Sequence, residues 1–349
     1  MNAYKLVAID TSKAVFTLHC IPDVDRPVLR LNLTRARLVP FFQKLAPTEI
    51  AMEACGGSFH WARTLEALGH RLRLIPPQYV KPFVKRGKND RNDAEAISEA
   101  AGRPNVHAVP VKSAERQAQL MVLKVRNTFV AQRTQLVNTL RGHAAEFGII
   151  AAKGLSAIAG LLVAIEQETA VPPAAQAMLA LLGEEIAHLD LRLKEIDAQL
   201  LAAHKANPLS LLLAGIPGVG PITALTFALE IDATAFASGR HLASWLGLAP
   251  KEHSTGGKQR LGGISRAGNE RLRQLLVLGA TSIVKLAIRP GNQTTSAWLR
   301  SLLARKPRKL VAVALANKMA RIVWAMMTSG EAYRRARPAF AGAGLAAAA

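Results

Sequence analysis

The chain has 349 residues, half of them hydrophobic, with 45 lysines and arginines against 24 aspartates and glutamates and a net charge of +21. That length and apolar content suit two folded domains, or two with a helical spacer, and exclude a disordered chain, while the charge points to a polyanionic partner such as a phosphate backbone. Two cysteines, Cys20 and Cys55, exclude a zinc ribbon or disulfide framework and fit a reducing compartment. No uninterrupted apolar run of membrane-spanning length and no leader pattern is present, so the expectation is a soluble cytoplasmic protein with no membrane partner. Few aromatics, three of them Tyr, argue against a stacking platform for single strands.

In chain order, "YKLVAID", "AVFTLHCI" and "PVLRLNL" read as strands, and "ARLVPFFQKLA" has helical spacing. A strand "EIAMEA", a helix "SFHWARTLEALG", a strand "RLRLIPP" and helical segments around "GKNDRND" follow. The order βββαβαβα is that of a ribonuclease H-like fold, with three antiparallel strands and then parallel additions. From residue 112 a long helical pattern leads to a loop and a second helix near "PPAAQAM". In that helix Leu179, Leu182, Ile186, Leu189, Leu193, Ile196 and Leu200 recur at alternating spacings of 3 and 4, an a/d seam that suits either a coiled-coil subunit contact or a buried bundle face. From about residue 208, "LLAGIPGVGPITALTFALEI" resembles a helix-hairpin-helix turn. There Gly218 and Gly220 allow close backbone approach, and helix N-terminal amides can hold a phosphate. The loop "KEHSTGGKQRLGG", the helix "NERLRQLLVLGATSIVKLA" and a low-complexity tail complete the chain.

These signals divide the chain into an α/β domain at 1–111, a helical spacer or oligomerisation region at 112–206, a mostly helical C-terminal domain at 207–335 and a disordered tail at 336–349. Charge is spread unevenly: residues 1–111 carry 16 basic against 10 acidic side chains, 112–250 carry 11 of each, and 251–349 carry 18 against 3. The positive ends, with a neutral middle, are the nucleic-acid-binding parts.

Asp10 closes the first strand and Glu53 the fourth, and in a ribonuclease H-like sheet those strands are neighbours. Asp90 and Asp93, three apart at a helix start, share one face. Taken singly, each acid could be a strand-end or helix-N-terminal residue, with Asp90 as an N-cap. Together, four converging carboxylates call for divalent cations. Mg²⁺ (or Mn²⁺) takes oxygen ligands, and two ions about 4 Å apart can stabilise both oxygens of a phosphoryl transfer. Lys88 and Arg91 then face the phosphate backbone.

The segments "AIDTSK", "AMEACGG", "KNDRNDAEAI", "IPGVGPITA", "LASWLGLAPKEHSTGGK" and "GGISRAGNERLRQLL", in that order, resemble the DEDD transposases of bacterial insertion sequences (family one-ten), also called bridge recombinases, with Piv-type DNA invertases as relatives. The resemblance runs from Val7 to about Met327. It implies a RuvC-like N-terminal domain, a coiled-coil spacer and a C-terminal transposase domain. It also implies metal ligation by Asp10, Glu53, Asp90 and Asp93, and a nucleophilic serine at Ser254. Members of the family use a noncoding bridge RNA that pairs with donor and target DNA. They pass through a covalent serine–DNA intermediate and act as homo-oligomers, dimers or tetramers, with composite active sites.

Ser254 sits among His253, Lys258 and Arg260 in a Gly-rich stretch that suits a phosphate-bearing site, and its hydroxyl needs activation by a metal or a nearby base. His253 is a candidate base or phosphate contact. Ser265 is the competing serine, and its position before a helix suits an N-cap or a phosphate contact. Arg266, Arg271 and Arg273 open the next helix, where guanidinium groups can take phosphates, and "ARKPRKL" is a further basic patch. The alternatives are a Holliday-junction-type endonuclease with water as nucleophile and a nucleic-acid scaffold with a decayed acid site.

Overall fold

The computed structural model describes residues 4–85, 89–292 and 295–334. The chain divides into two compact units, Met1–Gln117 and Ala118–Ala349. Lys88 and the tail at 336–349 lie outside the described residues.

In the first unit, β1 (Tyr4–Asp10), β2 (Val15–Pro22) and β3 (Leu29–Thr34) form an antiparallel meander. Helix α1 (Arg35–Phe42) leads to β4 (Glu49–Glu53), and α2 (Ser58–Glu66) leads to β5 (Arg71–Ile75); both strands add in parallel, giving the order β3-β2-β1-β4-β5. This mixed sheet, with β1 beside β4, is the arrangement expected from the order of elements. Short α3 (Pro77–Val80) and α4 (Asp90–Ala101) finish the unit.

Strand periodicity explains which helices cover which face. Val7, Ile9, Leu18, Ile50 and Met52 point to the face covered by Leu38 and Phe42 of α1 and Trp61 and Leu65 of α2. Leu6, Ala8, Ala51 and Ile75 point to the other face, beneath Val80 of α3 and Ala96, Ile97, Ala100 and Ala101 of α4. Small residues on α4 and on the strands beneath it let the helix lie close to the sheet. Its far end is tied down by Arg73, which donates to Ala101 O at 2.6 Å and pairs with Glu49 at 3.1 Å. Glu95 pairs with Lys85 and Arg30, fastening α4 to β3 and to the segment before it.

In the second unit, α5 (Ala114–Ala145, beginning in the first unit) and α7 (Pro173–Lys205) run antiparallel, as the pairs Arg126–Asp197 and Arg133–Asp190 require. The connection is not a plain loop, because it contains α6 (Ile158–Gln167), whose Ile158, Leu161 and Ile165 are buried with Val137, Leu140, Leu179 and Ile186. Further along, Leu200 is buried with Leu120, Leu123, Leu225 and Leu229. The a/d seam of α7 is thus used within one chain, as the face of a helical bundle.

Five further helices, α8 (Pro208–Ala214), α9 (Pro221–Glu230), α10 (Gly239–Trp245), α11 (Glu270–Ala287) and α13 (Arg308–Ser329), build the C-terminal core, with α12 (Ala297–Arg305) alongside. Trp324 of α13 donates its indole N–H to Ala233 O and Phe236 O, so the largest side chain of that helix is polar-satisfied where it enters the core. Among the described residues α13 alone is long and apolar enough to cross a membrane, and its Val311, Ala316, Met319 and Val323 are packed in this core. The segment read as a loop after α10 is a β-hairpin of β6 (Pro250–Glu252) and β7 (Leu261–Ile264).

Candidate active sites

Asp10 follows Leu6 and Ala8 on the α4 face of β1, and Glu53 follows Ala51 on the same face of β4. Ile9 pairs with Met52, so the two carboxylates leave adjacent parallel strands at the same level. Beyond them, Thr11 Oγ1 and Cys55 Sγ approach to 3.1 Å and join the two departing loops.

Helix α4 brings the other pair. Its N-cap is Asn89, whose side chain accepts from Asn92 N at 2.8 Å, so the alternative role of Asp90 as the cap falls to the residue before it. Asp90 and Asp93 both lie in the first turn. Carboxylate oxygens of Asp10, Asp90 and Asp93 all come within 4.8 Å of one another. Glu53 stands outside that trio but within its field.

The electrostatics record the crowding. Burial, then the charges of Asp93, Asp90 and Glu53, push the Asp10 carboxyl from 3.8 up to about 6 against the opposing Thr11 N–H. Glu53 is raised as well, by burial and then by Asp93. A hard, all-oxygen donor set that resists holding its own charges is chemically suited to a divalent cation. Arg91 is exposed on the same helix turn.

In the second unit, the turn after α8 carries Gly218 at φ +85°. A Cβ on Gly279 of α11 would stand 1.9 Å from Gly218 O. Gly218 therefore packs closely against α11 and stays partly exposed. Gly220 is exposed and caps α9 with no side chain of its own.

The hairpin holds Ser254. Gly256 and Gly257, at φ +56° and +75°, make the left-handed pair that a tight two-residue turn requires. Thr255 and Lys258 bridge across it, His253 N donates to Arg260 O at 2.9 Å, and Lys258 and Arg260 are exposed. The serine hydroxyl donates to Glu252 Oε1 at 2.8 Å and accepts from Arg260 N at 3.1 Å. Glu252 went unread in the sequence, although its position two residues before Ser254 is the strand-period signal. Ser265 is not an N-cap: Asn269 caps α11, accepting from Leu272 N at 3.0 Å, while Ser265 Oγ accepts from Ala267 N.

The three arginines separate. Arg266 has φ +57°, strained for a residue with a Cβ, and it lines an open groove of about 600 Å³ with Ile264, Gln274, Val277 and Lys285. Arg271 is half-buried, its pKa lowered by burial and by the Arg126 charge against Glu230. Arg273 is 8% exposed and donates to Leu246 O at 3.0 Å and Ala267 O at 2.7 Å. These bonds clamp the end of α10 to the start of α11, and the side chain also lines the groove beside Arg266.

A family model described as a transposase of the DEDD IS110 type matches residues 7–148, and a second, "Transposase IS116/IS110/IS902 family", matches 210–295. A putative transposase of Sinorhizobium fredii is 52% identical over 95% of this chain and 86% of its own length. The chain belongs to the IS110 family of DEDD transposases. A probable family 20 transposase of Pseudomonas aeruginosa is 44% identical, over 94% of this chain and 98% of the relative. The transposase of insertion sequence element IS1111A of Coxiella burnetii is 38% identical, over 96% and 92%. The transposase is thus an enzyme acting on DNA. The first matched segment contains all four acids and the second contains Ser254.

Proposed function

We propose that the transposase cuts and rejoins DNA strands by metal-dependent phosphoryl transfer through a covalent bond between Ser254 and DNA. The carrying observation is the convergence of Asp10, Asp90 and Asp93 beside Glu53 on one face of the sheet. These four would hold Mg²⁺ or Mn²⁺, as two ions, which when bound neutralise charge on the oxygens of the scissile phosphate. The chain's own part is to hold the DNA backbone: Lys88 and Arg91 in the first unit, and Gly218, Gly220, Lys258, Arg260, Arg266, Arg271 and Arg273 in the second, are its phosphate contacts. Ser254 attacks, and the same hydroxyl is released when the strand is resealed.

The wider reading draws on the resemblance. The partners are donor and target DNA and a bridge RNA transcribed from the element, and the working form is a homo-oligomer acting in the cytoplasm on the nucleoid. Residues 1–111 act as the RuvC-like nuclease, 112–206 as a coiled-coil spacer, and 207–335 as the transposase domain with a helix-hairpin-helix-like turn.

The test is a denaturing gel of protein incubated with a plasmid carrying the ends of its own insertion sequence. A protein–DNA adduct is expected with Mg²⁺ or Mn²⁺ and is expected to vanish in EDTA, in Asp10→Asn and in Ser254→Ala. Cleavage that persists in Ser254→Ala and never yields an adduct would instead establish water as the nucleophile. Rejoining unchanged after RNase treatment would remove the bridge RNA.

A further inference from the structure

A serine hydroxyl is a poor nucleophile until a base accepts its proton. Ser254 follows β6 in an extended arm, so residues two apart project to one side and the residue between them to the other. Glu252 and Ser254 share a side, and Oε1 receives the hydroxyl proton at 2.8 Å. His253, the base candidate suggested by adjacency, points the other way, its ring 3.9 Å from where a Cβ on Gly262 would lie. The Arg260 amide donates to the same hydroxyl at 3.1 Å, occupying one lone pair. Two hydrogen bonds from opposite arms of the hairpin therefore fix the rotamer and leave the remaining lone pair toward solvent. Glu252, Ser254 and Arg260 are all exposed, so a phosphodiester can reach the oxygen.

We propose that Glu252 is the general base for Ser254, an assignment that rests on Ser254 being the nucleophile. As the Ser254 Oγ–P bond forms, the Oγ proton passes to the Glu252 carboxylate. The P–O bond to one sugar oxygen breaks, and that oxygen takes a proton from water. On rejoining, a DNA hydroxyl loses its proton to water and attacks the phosphoserine, the P–Oγ bond breaks, and Glu252 returns its proton to Oγ. The carboxylate ends each cycle as it began, which suits a reaction that must run in both directions.

The experiment measures the rate of adduct formation by full-length protein on the plasmid bearing the element's ends, on denaturing gels, with DNA affinity followed by gel shift. Glu252→Gln keeps size and a hydrogen-bond acceptor but cannot take the proton, and should slow the adduct about 10²-fold or more at unchanged affinity. Ser254→Cys supplies a nucleophile that ionises without strong help, so there the Gln substitution should cost less than about tenfold. An equal penalty in both backgrounds makes Glu252 a strut of the hairpin and overturns the proposal, as does a wild-type rate in Glu252→Gln. An undiminished adduct in Ser254→Ala would overturn the serine reading itself, independently of Glu252.

Discussion

Single residues in the acidic site are arranged against stability. Asp10 ionises with difficulty because it is half-buried and faces three other carboxyls. Its folded pKa, about 6, lies above the ordinary 3.8, so the metal-free fold is favoured by a bound proton below 3.8 and loses that contribution as pH rises through 6. Asp10→Asn should accordingly raise the melting temperature in EDTA at pH 7.5, leave it nearly unchanged at pH 4, and abolish strand cleavage. Thermal unfolding at the two pH values checks this, and a lower melting temperature at pH 7.5 would contradict the repulsion. Mg²⁺ should restore the wild type at pH 7.5 more than the variant. Arg273 is the opposite case, a charge spent on the fold. Arg273→Leu leaves the Leu246 and Ala267 carbonyls without their donor, and should cost about 2–4 kcal/mol in denaturant unfolding.

Among the elements, α11 shows tertiary packing overriding helix propensity. Glycine inside a helix is about 1 kcal/mol worse than alanine, so propensity alone favours Gly279→Ala. Backbone contact reverses the sign, because the new methyl would lie 1.9 Å from Gly218 O and the turn before α9 would have to move. Gly142 of α5 has nothing within 4 Å and is the matched control. Gly142→Ala should raise stability by up to about 1 kcal/mol while Gly279→Ala lowers it, both read from urea midpoints. Both substitutions stabilising would mean that the α9 turn is loosely held. The seam of α7 carries a related lesson. Its spacing of 3 and 4 states that one face is buried, and the residues opposite, Leu120, Leu140, Ile158 and Leu225, show that the chain buries that face itself.

For the whole molecule, charge sets the terms of DNA binding. The 18 basic residues after position 250 stand against only 3 acids, and the junction from the end of α12 to the start of α13 carries Arg305, Lys306, Arg308 and Lys309, all exposed. Each basic side chain withdrawn from a phosphate lowers the slope of log affinity against log salt by about 0.9. Replacing these four by Glu should flatten the slope by roughly three to four and weaken binding to unrelated duplexes as much as to the element's ends. Weakening confined to the element's ends would assign this patch to sequence recognition, contrary to its chemistry.

Period-two strands, their order and the acid at each strand end were readable directly from "VAID" and "AMEA", because alternation and turn residues are local properties of the chain. So were the family and its motifs. The caps are Asn89 and Asn269, not the alternatives Asp90 and Ser265, because several polar residues precede each helix and only backbone geometry selects among them. The two carbonyls that Arg273 meets could not be foreseen, because a guanidinium in sequence carries no mark of its backbone partners. The convergence of Asp90 and Asp93 on Asp10 needed the small-residue packing of α4 on the sheet, and the union of Glu252 with Ser254 needed a hairpin where the sequence suggested a loop. Residue chemistry and periodicity belong to the sequence. Which charged groups come to face one another was decided by long-range packing, since their interaction energies exist only after the elements have been brought together.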